Sequence, residues 1–585
     1  MKRISKMFYL SESRKRYYRY VGLLAVVVLG VVSILGTGGG GDSAPPPPPA
    51  PSIISVFPSS LDSALVTTEI TARFSESMDP LTINANSFQL RDSGLNPITG
   101  SVDFYTQYGG YDYVAVFVPD VDLDVAEEYF ATLTTEITNT SGDPLARDYN
   151  WSFLISPAII PVSTNETGAV GTNYDGADDS SINATGEYIV FVSKENLAGQ
   201  ATNGIAQIYR KNTITGKIEI VSLNDNGILA NADCASPRIS DTGRYVVFAS
   251  KANNLDLNFV DQSKYHIYLK DLKLGISDTI TLLDVNKDDS TQPANGSSNM
   301  PDISGIPDVG SGKYVVFEST APDLQTNDTD TISDIFLINI ASGNVELISV
   351  DSNEVKGNAA SFAPRVSDNG QRVVFESIAN NLATSDPNTT SDIFLRDLNS
   401  TADPLNPTIT THISISPTDG AANEASNNPD ISGNGNYVVF QSVANNLVSS
   451  DTNSKTDIFL RDLVNATTSR LSLKSDGAQT LSGDSTTPAI NIDGSYVTFV
   501  STANDLVSTD PNVTVADVFA RNTVDADSIV LLSVPVPPLT NNQASTRAAI
   551  SADGRYVSFT TPNKFTDLDN NGRDDIYRAY NEALP

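Results

Sequence analysis

The seven residues DIFLRDL occur at Asp392–Leu398 and again, unchanged, at Asp457–Leu463. Variants of the same run start at Gln207, His266, Asp334, Asp517 and Asp575, so the pattern is written seven times. Successive starts lie 59, 68, 58, 65, 60 and 58 residues apart. A period of this length marks a repeat architecture, in which a small unit is copied and neighbouring copies bury each other's faces.

A second motif precedes each copy: a glycine, one residue, then an apolar strand ending in phenylalanine. It begins at Gly186, Gly243, Gly312, Gly370, Gly435, Gly494 and Gly554. Glycine suits a tight turn with positive φ. The nearly continuous apolar strand after it fits burial on both faces. An entering strand such as Pro429–Ser432 and a later one such as Val345–Val350 bring each period to four strands. One such sheet cannot cover both its faces, so the copies must stack, and stacked four-stranded sheets close into a β-propeller.

The last copy, DIYRAYN at Asp575, is followed by too few residues for a fourth strand, Glu582 to Pro585. Ile159–Gly171 (IIPVSTNETGAVG) resembles Glu346–Asn358 (ELISVDSNEVKGN) but has no glycine motif before it. Ile159–Thr164 is therefore expected to complete the last blade, joining the two ends of the ring and removing an open sheet edge. The composite motif D.G.YV.F.S.A.NL...D.N...DIFLRDL resembles the TolB-type, WD-like β-propeller repeat of bacterial envelope proteins. That resemblance implies a seven-bladed propeller over residues 157–585. It says less about activity, because propellers host binders and enzymes alike.

Residues 52–156 read as a separate β-sandwich. Short alternating runs at Glu69–Phe74, Tyr113–Val118, Tyr129–Thr134 and Asn150–Ile155 are broken by frequent turns, a pattern suited to strands with one buried face. Trp151, the only tryptophan, is expected in the core. Ile70–Pro80 (ITARFSESMDP) and Tyr129–Phe153 resemble the bacterial Ig-like domain of surface-layer and envelope proteins, which implies a spacer or binding module. Glu76 and Asp79 are read as turn caps. The whole chain is thus expected to be all-β.

Residues 1–35 place a basic lead before the apolar run Val21–Leu35, the pattern of a cleaved signal peptide or a retained signal anchor. Positive charge on the amino side predicts that the rest of the chain lies outside the cytoplasm. Residues 36–51, GTGGGGDSAPPPPPAP, form a flexible and then stiffened linker. The stretch SILGTGGGGDS resembles a bacterial lipoprotein start, but Thr37 stands where the acylated cysteine would be. The expected location is periplasm, cell surface or extracellular space, with the membrane touched only through such an anchor.

Charge narrows the partners. The whole chain carries a formal −34, and the first 41 residues hold seven of its 36 basic residues and one of its 70 acids. The remainder is more acidic still, a surface that repels nucleic acid and anionic lipid. The single cysteine, Cys234, excludes an internal disulfide.

Chemistry-bearing motifs are few. The loop before the third strand is acidic in several copies: Asp328–Asp334, Asp386–Asp392, Asp451–Asp457, Asp510–Asp517 and Asp567–Asp575. The last, DLDNNGRDD, spaces Asp567, Asp569, Asn571, Arg573 (through its carbonyl) and Asp575 as hard oxygen ligands around the turn at Gly572, which suits a structural calcium ion. It resembles the EF-hand or thrombospondin-type calcium loop, but Arg578 stands where the EF-hand needs a bidentate glutamate. In the other copies the acids are read as Asx-turn caps. His266 and His412, the only histidines, are read as structural, and no nucleophile elbow, metalloprotease motif or phosphate loop occurs. The expectation is a monomeric, non-enzymatic scaffold that recognises an envelope protein or glycan through propeller loops. The alternatives are a carboxylate-based polysaccharide hydrolase or lyase, and a purely structural surface-layer spacer.

Overall fold

The structure, a computed structural model, describes residues 50–581 apart from 59–62, 65–68, 109–110, 121–122, 124–127, 156–158, 172–173, 175, 257–260, 273–277, 306–312, 385, 387, 400–407, 419, 509, 511–514, 525–527, 534–542, 566–568 and 570. The targeting segment and most of the linker lie outside these residues. Among the described residues no helix is long and apolar enough to cross a membrane. The chain divides into two compact units between residues 158 and 159.

The first unit packs two sheets face to face. One runs, in spatial order, Ile53–Phe57, Ile70–Phe74, Tyr111–Pro119 and Gly100–Tyr108. The other runs Ser63–Ala64, Tyr149–Ile155, Glu128–Leu133, Phe88–Arg91 and Pro97–Ile98. Alternation decides which face is buried: Ile70, Ala72 and Phe74 point into the core, while Thr71 and Arg73 are only partly covered. Phe88 joins the sheets, 5.6 Å from the Phe117 ring and 6.0 Å from Trp151. Asp79 caps the short turn Pro80–Thr82, accepting from the Leu81 amide at 3.0 Å, and Glu76 accepts from Asn139 Nδ2 at 3.3 Å.

The second unit contains seven four-stranded antiparallel sheets. Their inner strands are Ala177–Ile182, Cys234–Ile239, Ser298–Ile303, Ser361–Val366, Ser426–Ile431, Ser485–Ile490 and Thr546–Ile550, defining blades 1 to 7. The second and third strands of each blade are paired over their whole length, as from Tyr437↔Asp462 to Ser442↔Asp457 in blade 5. This register stacks one aromatic pair in every blade. The rings of Phe191 and Tyr209 are 5.7 Å apart, those of Phe440 and Phe459 5.8 Å, and those of Phe559 and Tyr577 6.2 Å. Apolar clusters then join successive blades, as where Val439 and Ile458 of blade 5 meet Val497, Phe499 and Phe519 of blade 6.

The inner strands differ from the sequence expectation in one respect. They start three residues earlier than the PDIS-type run in blades 1 to 6, and two earlier in blade 7, because each carries a β-bulge. The bulged residues Asp179, Ser236, Met300, Ala363, Asn428, Thr487 and Arg547 all have φ between 47° and 51°. The preceding blade holds the bulge in this conformation. Glu318 accepts from the Ala363 amide at 3.0 Å, and Gln441 from the Thr487 amide at 2.8 Å. The outer strand is shorter than expected, Val345–Leu347 in blade 3. The 68-residue period contains an extra hairpin, Val285–Asn286 with Asp289–Pro293.

Closure follows the expected route. Ile159–Pro161 pairs with the third strand of blade 7, with Ile159↔Ala579, Ile160↔Arg578 and Pro161↔Tyr577 in register. Val162 and Ile576 share an apolar cluster with Ile189 and Phe191 of blade 1. Inner strand 1 also packs directly against inner strand 7. The recurring device that fastens an outer strand is a serine hydroxyl. It donates to the first side chain of the third strand and accepts from the following amide. In blade 3 Ser349 donates to Asp334 Oδ1 at 2.7 Å and accepts from Ile335 at 3.2 Å. At the seam Ser163 donates to Asp575 Oδ1 at 2.6 Å and accepts from Ile576 at 3.0 Å.

Ser163→Ala leaves the buried Asp575 carboxylate short of a donor, which costs about 1–3 kcal/mol. Urea unfolding of the propeller is expected to show that loss relative to Ser475→Ala at an exposed turn. Equal midpoints for the two variants would mean that the seam does not hold the ring.

Candidate functional site

Two sets of charged residues stand out: a slot in each blade formed by the acidic loop, and a ring of inner-strand side chains around the axis.

In three blades the slot already contains a cationic or imidazole side chain. In blade 3 Lys356 Nζ lies 2.8 Å from Asp330 Oδ1, 2.8 Å from Asp334 Oδ2, and in contact with Asp328. Burial pulls the Lys356 ammonium down, but the three carboxylates outweigh it and hold the group above its ordinary value. In blade 5 Arg470 Nη1 lies 3.0 Å from Asp451 Oδ1 and 3.1 Å from Asp457 Oδ2. In blade 4 His412 Nε2 lies 3.2 Å from Asp392 Oδ1. Lys356 comes from the turn after the outer strand, whereas His412 and Arg470 end the outer strand itself. These slots give the loop acids a structural partner from elsewhere in the chain.

The last slot is built differently. Asp567 lies outside the described residues. Asp569 Oδ2 accepts from the Tyr577 hydroxyl. Asn571 Nδ2 donates to Asp575 Oδ2 and to the Gly171 carbonyl, both at 2.9 Å, while its Oδ1 accepts from the Arg573 amide at 2.8 Å. The Arg573 guanidinium lies 3.6 Å from Glu195 Oε1, away from the carboxylate pair. Burial pushes the Asp575 carboxyl up to about 7; hydrogen bonds from Ser163 and Asn571 oppose this, and Asp569 and Glu195 add to it. Asp569, Asn571 and Asp575 are thus neighbours in one slot. Pro161 and Val170 stand where blades 5 and 3 place Arg470 and Lys356.

His266 fits the fastening device. Its Nδ1 lies 2.8 Å from Asp284 Oδ2, and Asp284 Oδ1 accepts from the Ile267 amide at 2.8 Å. Blade 2 therefore exchanges the usual aspartate and serine for histidine and aspartate. Cys234 takes the place of the serine that opens four other inner strands and lies 3.2 Å from Ser250 Oγ. Burial pushes its thiol up to about 12, so it stays protonated and unreactive.

The axial ring carries charged side chains that the sequence reading did not single out. Two residues after each bulged residue, the blades present Ser181, Arg238, Asp302, Arg365, Asp430, Ala489 and Ala549. The acids are committed to the wall. Asp302 Oδ2 accepts from the Val366 amide at 3.0 Å, and Asp430 Oδ2 from the Ile490 amide at 2.9 Å, each in the next blade. The arginines are held only at one edge. Arg238 Nη1 reaches the Pro237 carbonyl at 2.7 Å and Asp179 at 3.4 Å; Arg365 Nη1 reaches the Pro364 carbonyl at 2.8 Å, with Asp430 3.9 Å from its Nε. Arg365 and Asp430 are enclosed by protein yet keep 20% of their side chains exposed.

One turn further along, Asp241 and Asp368 approach each other across Gly305. A Cβ at Gly305 would lie 2.5 Å from Asp241 Oδ2 and 2.5 Å from Asp368 Oδ1, and one at Gly433 would lie 2.1 Å from Asp368 Oδ2. The two carboxylates occupy space that only glycine leaves. Burial, then Asp241 and Asp302, push the Asp368 carboxyl up to about 7. Between about pH 4 and 7 the folded chain therefore keeps a proton that the unfolded chain releases. Asp368 contributes stability at low pH, and that contribution is lost as pH rises through about 7. Asp368→Asn is accordingly expected to raise the urea midpoint more at pH 8 than at pH 5. An equal effect at both values would contradict the placement of this carboxyl.

Residues 48–154 match the family described as bacterial Ig-like domain. No curated protein sequence matches the chain. Similar solved structures include TolB from Acinetobacter baumannii, 15% identical with a TM-score of 0.30; the match covers 58% of this chain and 58% of TolB. The β-propeller domain of the Trilobed protease from Pyrococcus furiosus is 10% identical with a TM-score of 0.32, over 74% of this chain and 93% of that one. The C-terminal WD40 domain of Sif2 is 12% identical with a TM-score of 0.35, over 70% and 97%. At these values the fold stands on the strand pairing itself. The chain carries a bacterial Ig-like domain at residues 48–154, followed by a closed seven-bladed β-propeller.

Proposed function

We propose that this chain is an exported envelope protein without catalytic activity, whose propeller binds a protein or glycan. One observation carries the reading: around the axis, Arg238 and Arg365 keep guanidinium donors that the wall does not use, in space that solvent reaches. Several other buried cations are spent on joining blades. Lys211 donates to the Thr164 and Asn165 carbonyls, Lys270 to Leu223, Arg396 to Asp351 and Arg521 to Leu473, in each case across to the preceding blade. Polar groups left available on a rigid scaffold mark a binding surface. The Ig-like domain and the predicted export signal support an envelope setting, with the sandwich as spacer.

The carboxylate-enzyme reading has one observation in its favour, the Asp241–Asp368 pair with one carboxyl raised to about 7, since paired carboxylates of unequal acidity serve glycoside cleavage. A single experiment separates the two. Wild-type protein and Arg365→Ala are incubated with purified cell-wall glycan and with envelope extract. Saturable binding that weakens at least tenfold in Arg365→Ala, with no new reducing ends, is expected. Release of reducing ends, abolished in Asp368→Asn, would replace the binding reading by the enzymatic one.

A structural calcium ion in the last slot belongs to the same proposal. Asp569, Asp575 and the Arg573 carbonyl would supply oxygens, and the Asn571 amide would turn its oxygen inward, an orientation set by the local network. Calcium is expected to raise the melting temperature of chelator-treated protein by several degrees, and Asp569→Asn to abolish that rise. Superimposable melting curves with and without chelator would exclude the ion.

A further inference from the structure

We propose that the axial site takes a zwitterionic group, with its carboxylate against Arg238 and Arg365 and its ammonium against Asp241 and Asp368. This rests on the reading of the axis as the binding site, and names the chemical class it accepts.

The two charged layers are distinct. Asp302 and Asp430 lie level with the arginines, but each spends one carboxylate oxygen on an amide of the next blade. The arginine donors are the groups left over at that level. Across from them the wall consists of Ser181, Ala489 and Ala549, whose small side chains leave room for an occupant. Asp368 follows Arg365 by three residues on the same strand and turn, a separation of about 10 Å in extended chain. Asp241 follows Arg238 by the same interval. Each pair thus offers a positive group and a negative group at one spacing, in two blades separated by only one other.

An anion alone meets opposition: at the arginines it faces Asp179, Asp302 and Asp430 nearby. A cation alone at Asp241 and Asp368 leaves the arginine donors unused. A ligand carrying both charges at a spacing of about 6–10 Å satisfies both layers, and complementary potential of this kind discriminates between partners more than it adds raw affinity. Glycine at 305 and 433 is what lets the two carboxylates converge, since a Cβ at either would displace them.

The test uses three probes of one length on the full chain at pH 8: 6-aminohexanoate, hexanoate and hexylamine, titrated calorimetrically. 6-Aminohexanoate is expected to bind at least tenfold more tightly than either single-charge probe. Arg365→Ala should remove its advantage over hexylamine, and Asp368→Asn its advantage over hexanoate, with circular dichroism and melting confirming the fold of each variant. Equal affinity for the three probes, or no binding of 6-aminohexanoate to wild type, would overturn the proposal, and this comparison needs no variant. If the glycan or envelope ligand loses affinity in Arg365→Ala while 6-aminohexanoate fails to bind, the axis is the site and the zwitterion class is wrong. If that ligand is indifferent to Arg365→Ala, the axial reading itself falls.

Discussion

The ring depends on how each outer strand is tied to its blade. The outer strand is only three or four residues long and lies at the rim, so ladder hydrogen bonds alone fix it weakly. A hydroxyl two residues after it bonds both a buried carboxylate and a main-chain amide of the third strand, as Ser349 does with Asp334 and Ile335. A buried carboxylate is costly unless it receives such donors, and the hydroxyl at its side is the group that supplies them. The side chain that begins the third strand and the one that follows the outer strand therefore constrain each other in every blade. Blade 1 uses Gln207 with Ser222, and blade 2 uses His266 with Asp284. The chemistry changes while the tie persists.

Much of the architecture was visible in the residues. The aromatic at the end of the second strand and the one in the third recur together because they stack in every blade. The positive φ of Gly186, Gly243 and Gly494 makes the turn glycine a fixed mark. The inner strand was harder to read, because its bulge shifts the alternation by one residue in mid-strand. A period-two pattern therefore ends at Pro429, while the strand continues back to Ser426.

The sites were less legible than the fold. The acidic loops are plain in sequence, but Lys356, His412 and Arg470 lie 22, 20 and 13 residues beyond the aspartates they meet, at Asp334, Asp392 and Asp457, and not at one repeat position. Nothing local announces them. Arg238 and Arg365 sit at one repeat position in blades 2 and 4, where blades 3 and 5 have aspartate and blades 6 and 7 alanine. A feature that varies from copy to copy is invisible to a repeat consensus, although such variation is where a symmetric scaffold can acquire an asymmetric task. No sequence motif marks Asp241 and Asp368. Only the backbone path at Gly305 brings their carboxylates together.

The seam also sets an order of events in biosynthesis. Ser163 and Asp575 are 412 residues apart, and the strand that finishes the last blade is made before any other part of the ring. At translation rates of about 5–20 residues per second, that strand waits roughly 20–80 s for its mate. During that interval blade 1 exists beside a segment with nothing to pair with. Any nascent chain emptied into an extracytoplasmic space would need this orphan edge shielded, by the polar sequence around it or by a helper, until the final repeat arrives.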